Sequence, residues 1–223
     1  MQLLPRYTHI VDNRLKHTYL TFDEEGNLVI KSPKVTQAYI EKLLLKKSAW
    51  INRSREKILK KKGKALNFSN PETLYLYGRA YNLRLKKHTK KRTKLVFEEE
   101  FILYYSNYNE EIFQKHINHF YKEEAKQFIP LLVERWSDIM GLKPNKISFR
   151  KTKRQWGSCS AKNDLSFNTM TMKLPYDVIQ YIIVHELAHI KHKHHQKSFW
   201  EEIEKYIPEY KQHVIELKKY STQ

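Results

Sequence analysis

The sequence contains a single cysteine, Cys159, and only five glycines among its 223 residues. One cysteine cannot form an internal disulfide, so the chain does not have the pattern of a small secreted domain that depends on disulfides. Its first ten residues, MQLLPRYTHI, lack the charged segment and the apolar run of a secretory signal peptide. We therefore expect a reducing, cytoplasmic environment.

Long hydrophobic runs are also lacking. The longest, VIQYIIV at residues 178–184, is followed at once by His185 and Glu186. A helix that spans a membrane needs about 18 apolar residues. With 40% hydrophobic and 30% charged residues, the composition is that of a globular protein with a solvated surface. We expect a soluble protein without a membrane partner, long enough to bury a core of its own.

Acidic residues are scarce relative to basic ones. The 24 Asp and Glu residues stand against 42 Lys and Arg, for a net charge of +18, and the excess is dense in RSREKILKKKGK, LRLKKH and TKKRTK. Such a surface attracts nucleic acid or nucleotides, or is simply well solvated. No zinc-finger pair, phosphate loop or aromatic-basic motif distinguishes these cases. Two hypotheses therefore remain for the basic surface: it binds a nucleic-acid or nucleotide partner, or it is a solvated surface without a partner.

Residues 1–105 have a mixed pattern that predicts a β-rich basic module with one helix. Apolar and polar residues alternate on both sides of Glu25-Gly26-Asn27, which predicts a hairpin. Apolar residues at helical spacing between Val35 and Lys61 predict an amphipathic helix. The segments ETLYLYGRAYNLRLKKH and KLVFEEEFILYYS, rich in aromatic and branched residues, predict further strands.

Residues 106–223 change to a mainly helical pattern that predicts a second domain. A long apolar stripe with Pro130 in its middle predicts a helix that is kinked or divided there. NKISFRK and LSFNTMTMKL predict two short strands that pair. Pro175 then opens a helix through DVIQYIIVHELAHI, and Ser198 followed by Glu201 predicts a capping box for the next helix.

The helix around HELAH carries residues that could form a metal site. It is apolar on nearly every side, so His185, Glu186 and His189 need partners where they stand. The two histidines are four residues apart and share one helical face, as zinc ligands with bonds of about 2.0–2.1 Å would. Glu186 then lies beside the metal and can take a proton from the water it activates. The alternative is a pair of core histidines with hydrogen-bond partners.

A catalytic zinc site needs a third protein ligand. His192 lies about 10 Å further along a straight helix than the first histidine of the motif, too far to share one ion. The chain must therefore turn back, and His194 and His195 lie in the segment that would do so. His195 gives the spacing H-E-x-x-H-x5-H, whereas Glu201 or Glu202 of the following helix would give a glutamate ligand. The spacing alone leaves these alternatives open.

The segments RQWGSCSAKNDLSFN, LPYDVIQYIIVHELAHIKHKHHQKSFW and PEYK resemble the YgjP-like metallopeptidase family, a relative of SprT-type and minimal gluzincin-type zinc peptidases. A weaker similarity runs from LYLYGRAYNLRL back to AWINRSREKI. The resemblance implies an α+β fold in which a zincin-like catalytic domain follows the basic module. It implies one Zn²⁺, or another divalent ion, held by His185, His189 and His195, with Glu186 as the general base in peptide hydrolysis.

The resemblance also implies where a substrate binds. Arg154, Trp156 and Asn168 are candidates for substrate contact or charge stabilisation, the alternative being that they form a packed turn. The strand DLSFN would be an edge that binds an extended peptide. Two other functions compete with peptide hydrolysis: cleavage of nucleoside triphosphates at the same metal, which the net charge of +18 favours, and a nucleic-acid-associated role of the SprT-like kind.

Overall fold

The computed structural model describes residues 5–23, 26–59, 68, 72–90 and 92–222. Over these ranges the chain has a mixed α+β fold, with five α-helices and small β-sheets, which confirms the α+β part of the expected class. None of the described helices combines the length and the apolar character needed to cross a membrane. The chain folds as two compact units, Met1–Lys61 and Lys62–Gln223.

The first unit consists of a three-stranded sheet and one helix: β1 (Tyr7–Val11), β2 (Tyr19–Phe22), β3 (Leu28–Ser32) and α1 (Gln37–Leu59). β3 is central, parallel to β1 and antiparallel to β2, so the predicted hairpin is present. Glu25 of its turn lies outside the described residues, whereas Gly26 has a φ of 83°, which favours glycine. The predicted end of the helix, Lys61, also lies outside them.

A small core holds this unit together. Leu28 and Ile30 of β3 and Ile40, Leu44 and Ile51 of α1 are each at most 1% exposed. The three α1 residues recur at helical spacing and therefore form one face that packs on the sheet. The opposite face of α1 is exposed to solvent.

The second unit begins with a four-stranded sheet, in the order β4-β5-β7-β6: β4 (Glu72–Leu76), β5 (Arg79–Lys87), β6 (Lys94–Phe97) and β7 (Phe101–Tyr105). These strands were expected to belong to the N-terminal module. However, the Tyr121 hydroxyl donates to the Tyr75 carbonyl at 2.6 Å, and the Tyr77 amide donates to the Met172 carbonyl at 2.8 Å. Because the sheet shares a core with the helices, the boundary between units lies at residue 61 and not at 105.

One long helix, α2 (Glu110–Met140), packs against both sheets of this unit. The Asn109 side chain accepts from the first turn, and Gly141 ends the helix with a φ of 66°. Pro130 does not divide it, because the helix continues without a break on either side. The loss of one backbone donor is offset by the buried stripe that includes the fully buried Tyr121.

The remaining elements surround the HELAH motif: β8 (Ile147–Arg150), β9 (Gly157–Cys159), β10 (Leu165–Asn168), a 3₁₀ helix (Thr169–Lys173), α3 (Tyr176–Lys191), α4 (Lys197–Tyr206) and α5 (Tyr210–Leu217). β10 is central, parallel to β8 and antiparallel to β9. The prediction that DLSFN forms an edge was wrong, because strands cover β10 on both sides. The edge that faces α3 is β9.

Candidate active site

Helix α3 carries the HELAH motif into the interior of the second unit. Its buried residues lie on nearly every side: Val178, Ile179, Tyr181, Ile182, Ile183, Val184, Glu186, Leu187 and Ala188. His185 and His189 are partly buried on the side that faces α4. The helix is therefore held by packing, and the polar side chains of the motif enter a largely apolar environment.

The chain turns back directly after α3. His192 leaves the helical conformation with a φ of −124° and a ψ of 100°. α4 begins after Gln196, and no side chain caps it. The predicted capping box at Ser198 was wrong, since this residue lies inside the first turn of α4. The turn is held instead by the Trp200 indole, which donates to the His195 carbonyl at 3.1 Å.

This turn brings three histidines together. Nε2 of His195 lies 3.1 Å from Nε2 of His189 and 3.2 Å from Nε2 of His185. The candidate ligand atoms of the three residues all lie within 4.8 Å of one another. A tetrahedral ion with bonds of about 2.0–2.1 Å needs nitrogens about 3.3–3.4 Å apart. The spacing fits one shared metal ion.

The outward nitrogens show how the rings are oriented. His189 Nδ1 lies 2.9 Å from the His192 carbonyl, which can only accept, so His189 carries its proton on Nδ1 and presents a lone pair at Nε2. His185 Nδ1 lies 3.3 Å from the Tyr181 hydroxyl. One proton on His195 Nε2 can satisfy only one of the two nitrogens that face it. A shared cation satisfies all three.

The three histidine rings pack against Phe199, which is fully buried. Its ring centroid lies 4.9 Å from that of His185, 4.5 Å from His189 and 4.7 Å from His195. Burial, together with the two neighbouring histidines, lowers the pKa of His185 to about 3. Burial also lowers the pKa of His189. Both rings are neutral at pH 7, the form that binds a metal.

Glu186 is only 5% exposed and lies beside the cluster. Burial raises the pKa of its carboxyl to about 8. Strand β9 passes so close that a Cβ placed on Gly157 would lie 2.6 Å from both Cγ and Oε1 of Glu186. Any larger residue at this position would displace the Glu186 side chain. Gly157 was not among the residues predicted from the sequence, although its position in RQWGSCS was the available signal.

A cavity of about 430 Å³ opens beside these residues, with the following lining: Gln155, Trp156, Gly157, Ser158, Cys159, Tyr181, Ile182, His185, Glu186, His189, Lys193, His195 and Leu217. Of the three predicted substrate residues, Trp156 lies in this lining. Arg154 is exposed and is not among the described lining residues. Lys193, in the turn between α3 and α4, and Leu217, at the end of α5, were not predicted.

Asn168 lies behind the cavity, where it shapes the turn before β9. It is 1% exposed, and its Nδ2 donates to the carbonyls of Thr152 at 2.7 Å and Gln155 at 3.0 Å. Its Oδ1 accepts from the Met170 amide, and its own amide donates to the Trp156 carbonyl. These bonds engage both ends of the side chain, so its geometry is that of a brace for the cavity wall.

The two glutamates considered as alternative ligands have other partners. Glu201 pairs with Lys197 at 3.4 Å on the surface of α4. Glu202 is buried, and its carboxylate accepts from Lys191 at 3.1 Å and from Lys205 at 2.9 Å. Neither belongs to the cluster of potential metal ligands found among the described residues.

The model of the YgjP-like metallopeptidase domain matches residues 16–220, nearly the whole chain. The chain belongs to the YgjP-like family. This membership confirms the resemblance and assigns the chain to the metallopeptidase type of hydrolase. A comparison of this YgjP-like chain with curated proteins found no significant match. Among solved structures it is similar to the metallopeptidase zymogen of Pyrococcus abyssi abylysin, with 30% identity, 36% of this chain and 81% of that chain covered, and a TM-score of 0.34.

Proposed function

We propose that this YgjP-like protein is a zinc-dependent peptidase with a zincin-like catalytic domain. One Zn²⁺ per chain would be held by His185, His189 and His195, and Glu186 would act as the general base. The observation that carries the proposal is the convergence of three Nε2 atoms, two of them 3.1 and 3.2 Å from the third, beside a buried carboxyl. Neutral imidazole is a preferred zinc ligand.

The chemistry divides between the ion and the side chains. A Zn²⁺ ion held by the three histidines would act as a Lewis acid that lowers the pKa of a water molecule towards 7. Burial raises the pKa of the Glu186 carboxyl to about 8 in the metal-free chain, and a bound divalent cation would lower this pKa and favour the carboxylate, the form that accepts a proton. Glu186 can therefore take a proton from the attacking water and return it to the departing amine. Because Gly157 has no side chain, strand β9 can lie close to this carboxyl without displacing it.

The edge strand β9 is the proposed site for the peptide backbone. It borders the cavity on one side and has β10 as its neighbour on the other. An extended peptide can add to such an edge through main-chain hydrogen bonds. Trp156 and Leu217 line the same cavity and offer apolar contacts to a substrate side chain.

A nucleoside triphosphate is the competing substrate, but the cavity favours a peptide. Histidines aside, Lys193 is the only cation in the described lining. Its Nζ already donates to Asn163 Oδ1 at 2.6 Å and to the Ser160 carbonyl at 2.9 Å. A polyphosphate site normally presents several free cationic or backbone N–H donors.

The test compares substrates and variants on one zinc-loaded preparation. We expect casein-derived peptides to be cleaved and a panel of nucleoside triphosphates to remain intact. Glu186→Gln should lower peptide cleavage by about 10²- to 10⁴-fold, the usual contribution of a general base, while zinc content stays the same. The control is Glu201→Gln on the surface of α4. Turnover of nucleotides alone, or cleavage that survives Glu186→Gln, would refute the proposal.

Metal content provides a second test. We expect close to one equivalent of zinc per chain by elemental analysis, and a large loss in His185→Ala. His119→Ala, which removes an exposed histidine of α2, serves as the control. Less than half an equivalent in the wild type, unchanged by His185→Ala, would exclude this metal centre.

A further inference from the structure

Helix α1 of the first unit has a second face that the proposed peptidase site does not use. Its apolar side is packed into the core of the unit. On the opposite side, six exposed residues recur at intervals of three or four: Tyr39, Lys42, Lys46, Trp50, Arg53 and Lys57. Residues at these intervals form one stripe along a helix. We call this stripe the α1 basic face.

The cations of this face have no acidic partners. Within the described ranges, none of the ion pairs includes Lys42, Lys46, Arg53 or Lys57. Of the two glutamates of α1, Glu41 lies about 100° or more around the helix from these cations. Glu56 is three residues from Arg53 and offsets part of its charge. The stripe therefore keeps a net positive charge that can attract a polyanion.

Two aromatic side chains alternate with these cations. Tyr39 is 47% exposed and Trp50 is 41% exposed. The Trp50 ring also contacts Phe22 of β2, with centroids 5.8 Å apart, which holds its orientation while leaving much of it in solvent. Exposed aromatic rings between cations are the arrangement on which unpaired bases stack while their phosphates are neutralised.

A membrane surface fits this helix less well. An interfacial helix inserts its apolar side between lipids. In α1 that side, with Ile40, Leu44 and Ile51, is at most 1% exposed and already belongs to the core. The cations from Lys42 to Lys57 extend over about 22 Å of helix, room for a few nucleotides of an extended strand.

We propose that the α1 basic face binds single-stranded nucleic acid, with Tyr39 and Trp50 stacking on bases and the lysines contacting phosphates. This binding site lies outside the metal cluster and does not depend on the proposed peptidase activity. Under this proposal, part of the net charge of +18 serves to bind the phosphates of a nucleic acid.

The first experiment measures binding of the full-length protein to fluorescein-labelled oligo-dT and oligo-U, each about 20 nucleotides long so that it exceeds the usual single-strand site size, by anisotropy. The charge reversal Lys42→Glu/Lys46→Glu is compared with Lys143→Glu/Lys218→Glu, which changes the net charge equally at exposed positions of the second unit. We expect at least a tenfold loss of affinity for the first variant and less than twofold for the second. The slope of log K against log salt should fall in magnitude by about 1.4, since each lost single-strand phosphate contact removes about 0.7.

The second experiment tests stacking. Tyr39→Ala should weaken binding several-fold and Tyr39→Phe should restore it, because the ring and not the hydroxyl contacts the base. Circular dichroism establishes that each variant is folded, and peptide cleavage should be unchanged in all of them. Absence of binding by the wild type, equal losses in the two double variants, or equal affinities of Tyr39→Ala and Tyr39→Phe would overturn the proposal. So would binding to vesicles rich in phosphatidylserine but not to either oligonucleotide.

Discussion

Gly157 and Glu186 are in direct contact across the gap between strand β9 and helix α3. A methyl group on Gly157 would lie 2.6 Å from both Cγ and Oε1 of Glu186, well inside van der Waals contact. The strand therefore sets the position of the proposed general base. This relationship connects residues that are 29 positions apart in the sequence.

The first prediction concerns this contact. Gly157→Ala should displace the Glu186 carboxylate and lower kcat for peptide cleavage by about 10- to 100-fold, because small misplacements of a catalytic group cost that much. Zinc affinity should remain unchanged, since the three histidines are not touched. Ser166→Ala is the matched control, as its buried hydroxyl has no partner among the described residues. Unchanged kcat in Gly157→Ala would show that the position of Glu186 does not depend on β9.

The second prediction distinguishes the histidines of the turn. His195→Ala should lower zinc affinity by at least about 100-fold in a chelator competition assay, because it removes one of the three proposed ligands. His194→Ala should bind zinc as the wild type does, since His194 is not in the cluster. Similar affinities of the two variants would contradict the assignment of His195.

The third prediction concerns the residue that orients a ligand. The Tyr181 hydroxyl lies 3.3 Å from Nδ1 of His185. Tyr181→Phe should lower zinc affinity by about 10-fold, within the range for such supporting hydrogen bonds. Tyr176→Phe, at the exposed start of the same helix, is the control. Equal zinc dissociation constants for both variants would exclude a positioning role for Tyr181.

The fourth prediction concerns the stability of the metal-free protein. The pKa of Glu186 is about 8 in the folded chain, against an ordinary value of 4.5, so between these values the folded state binds more protons than the unfolded state. The contribution of Glu186 to the free energy of unfolding should therefore fall as pH rises from about 5 to about 8. Glu186→Gln removes this contribution, so the wild type should lose stability relative to the variant over that range, on the order of a few kcal/mol.

His185 has the opposite effect in the same measurement. Its pKa is lowered from 6.5 to about 3, so its contribution to stability is lost as pH falls below 6.5. This effect is present in both the wild type and Glu186→Gln and cancels in their difference. Denaturant unfolding with a chelator present, at several pH values, provides the data. A difference between the two proteins that is constant with pH would refute the raised pKa of Glu186.

Several features of the fold follow from patterns within short segments. The hairpin of β2 and β3 and the apolar helix that carries HELAH were expected from alternation and helical spacing, and both are present. Other local patterns were overridden by packing. Of the two outcomes expected at Pro130, a division of the helix does not occur, because tertiary contacts stabilise α2 as one continuous helix. Ser198 does not cap α4, because the turn before it is held by Trp200.

The sequence by itself determined the helix α3 and the placement of His185, Glu186 and His189 along it, because side chains four residues apart on a helix are neighbours whatever surrounds them. Spacing alone left the third histidine open. Only the tertiary structure decided that His195 returns to the pair, that β9 and not β10 is the free edge, and that Gly157 contacts Glu186. These relationships join residues distant along the chain, and the packing of separate elements sets them.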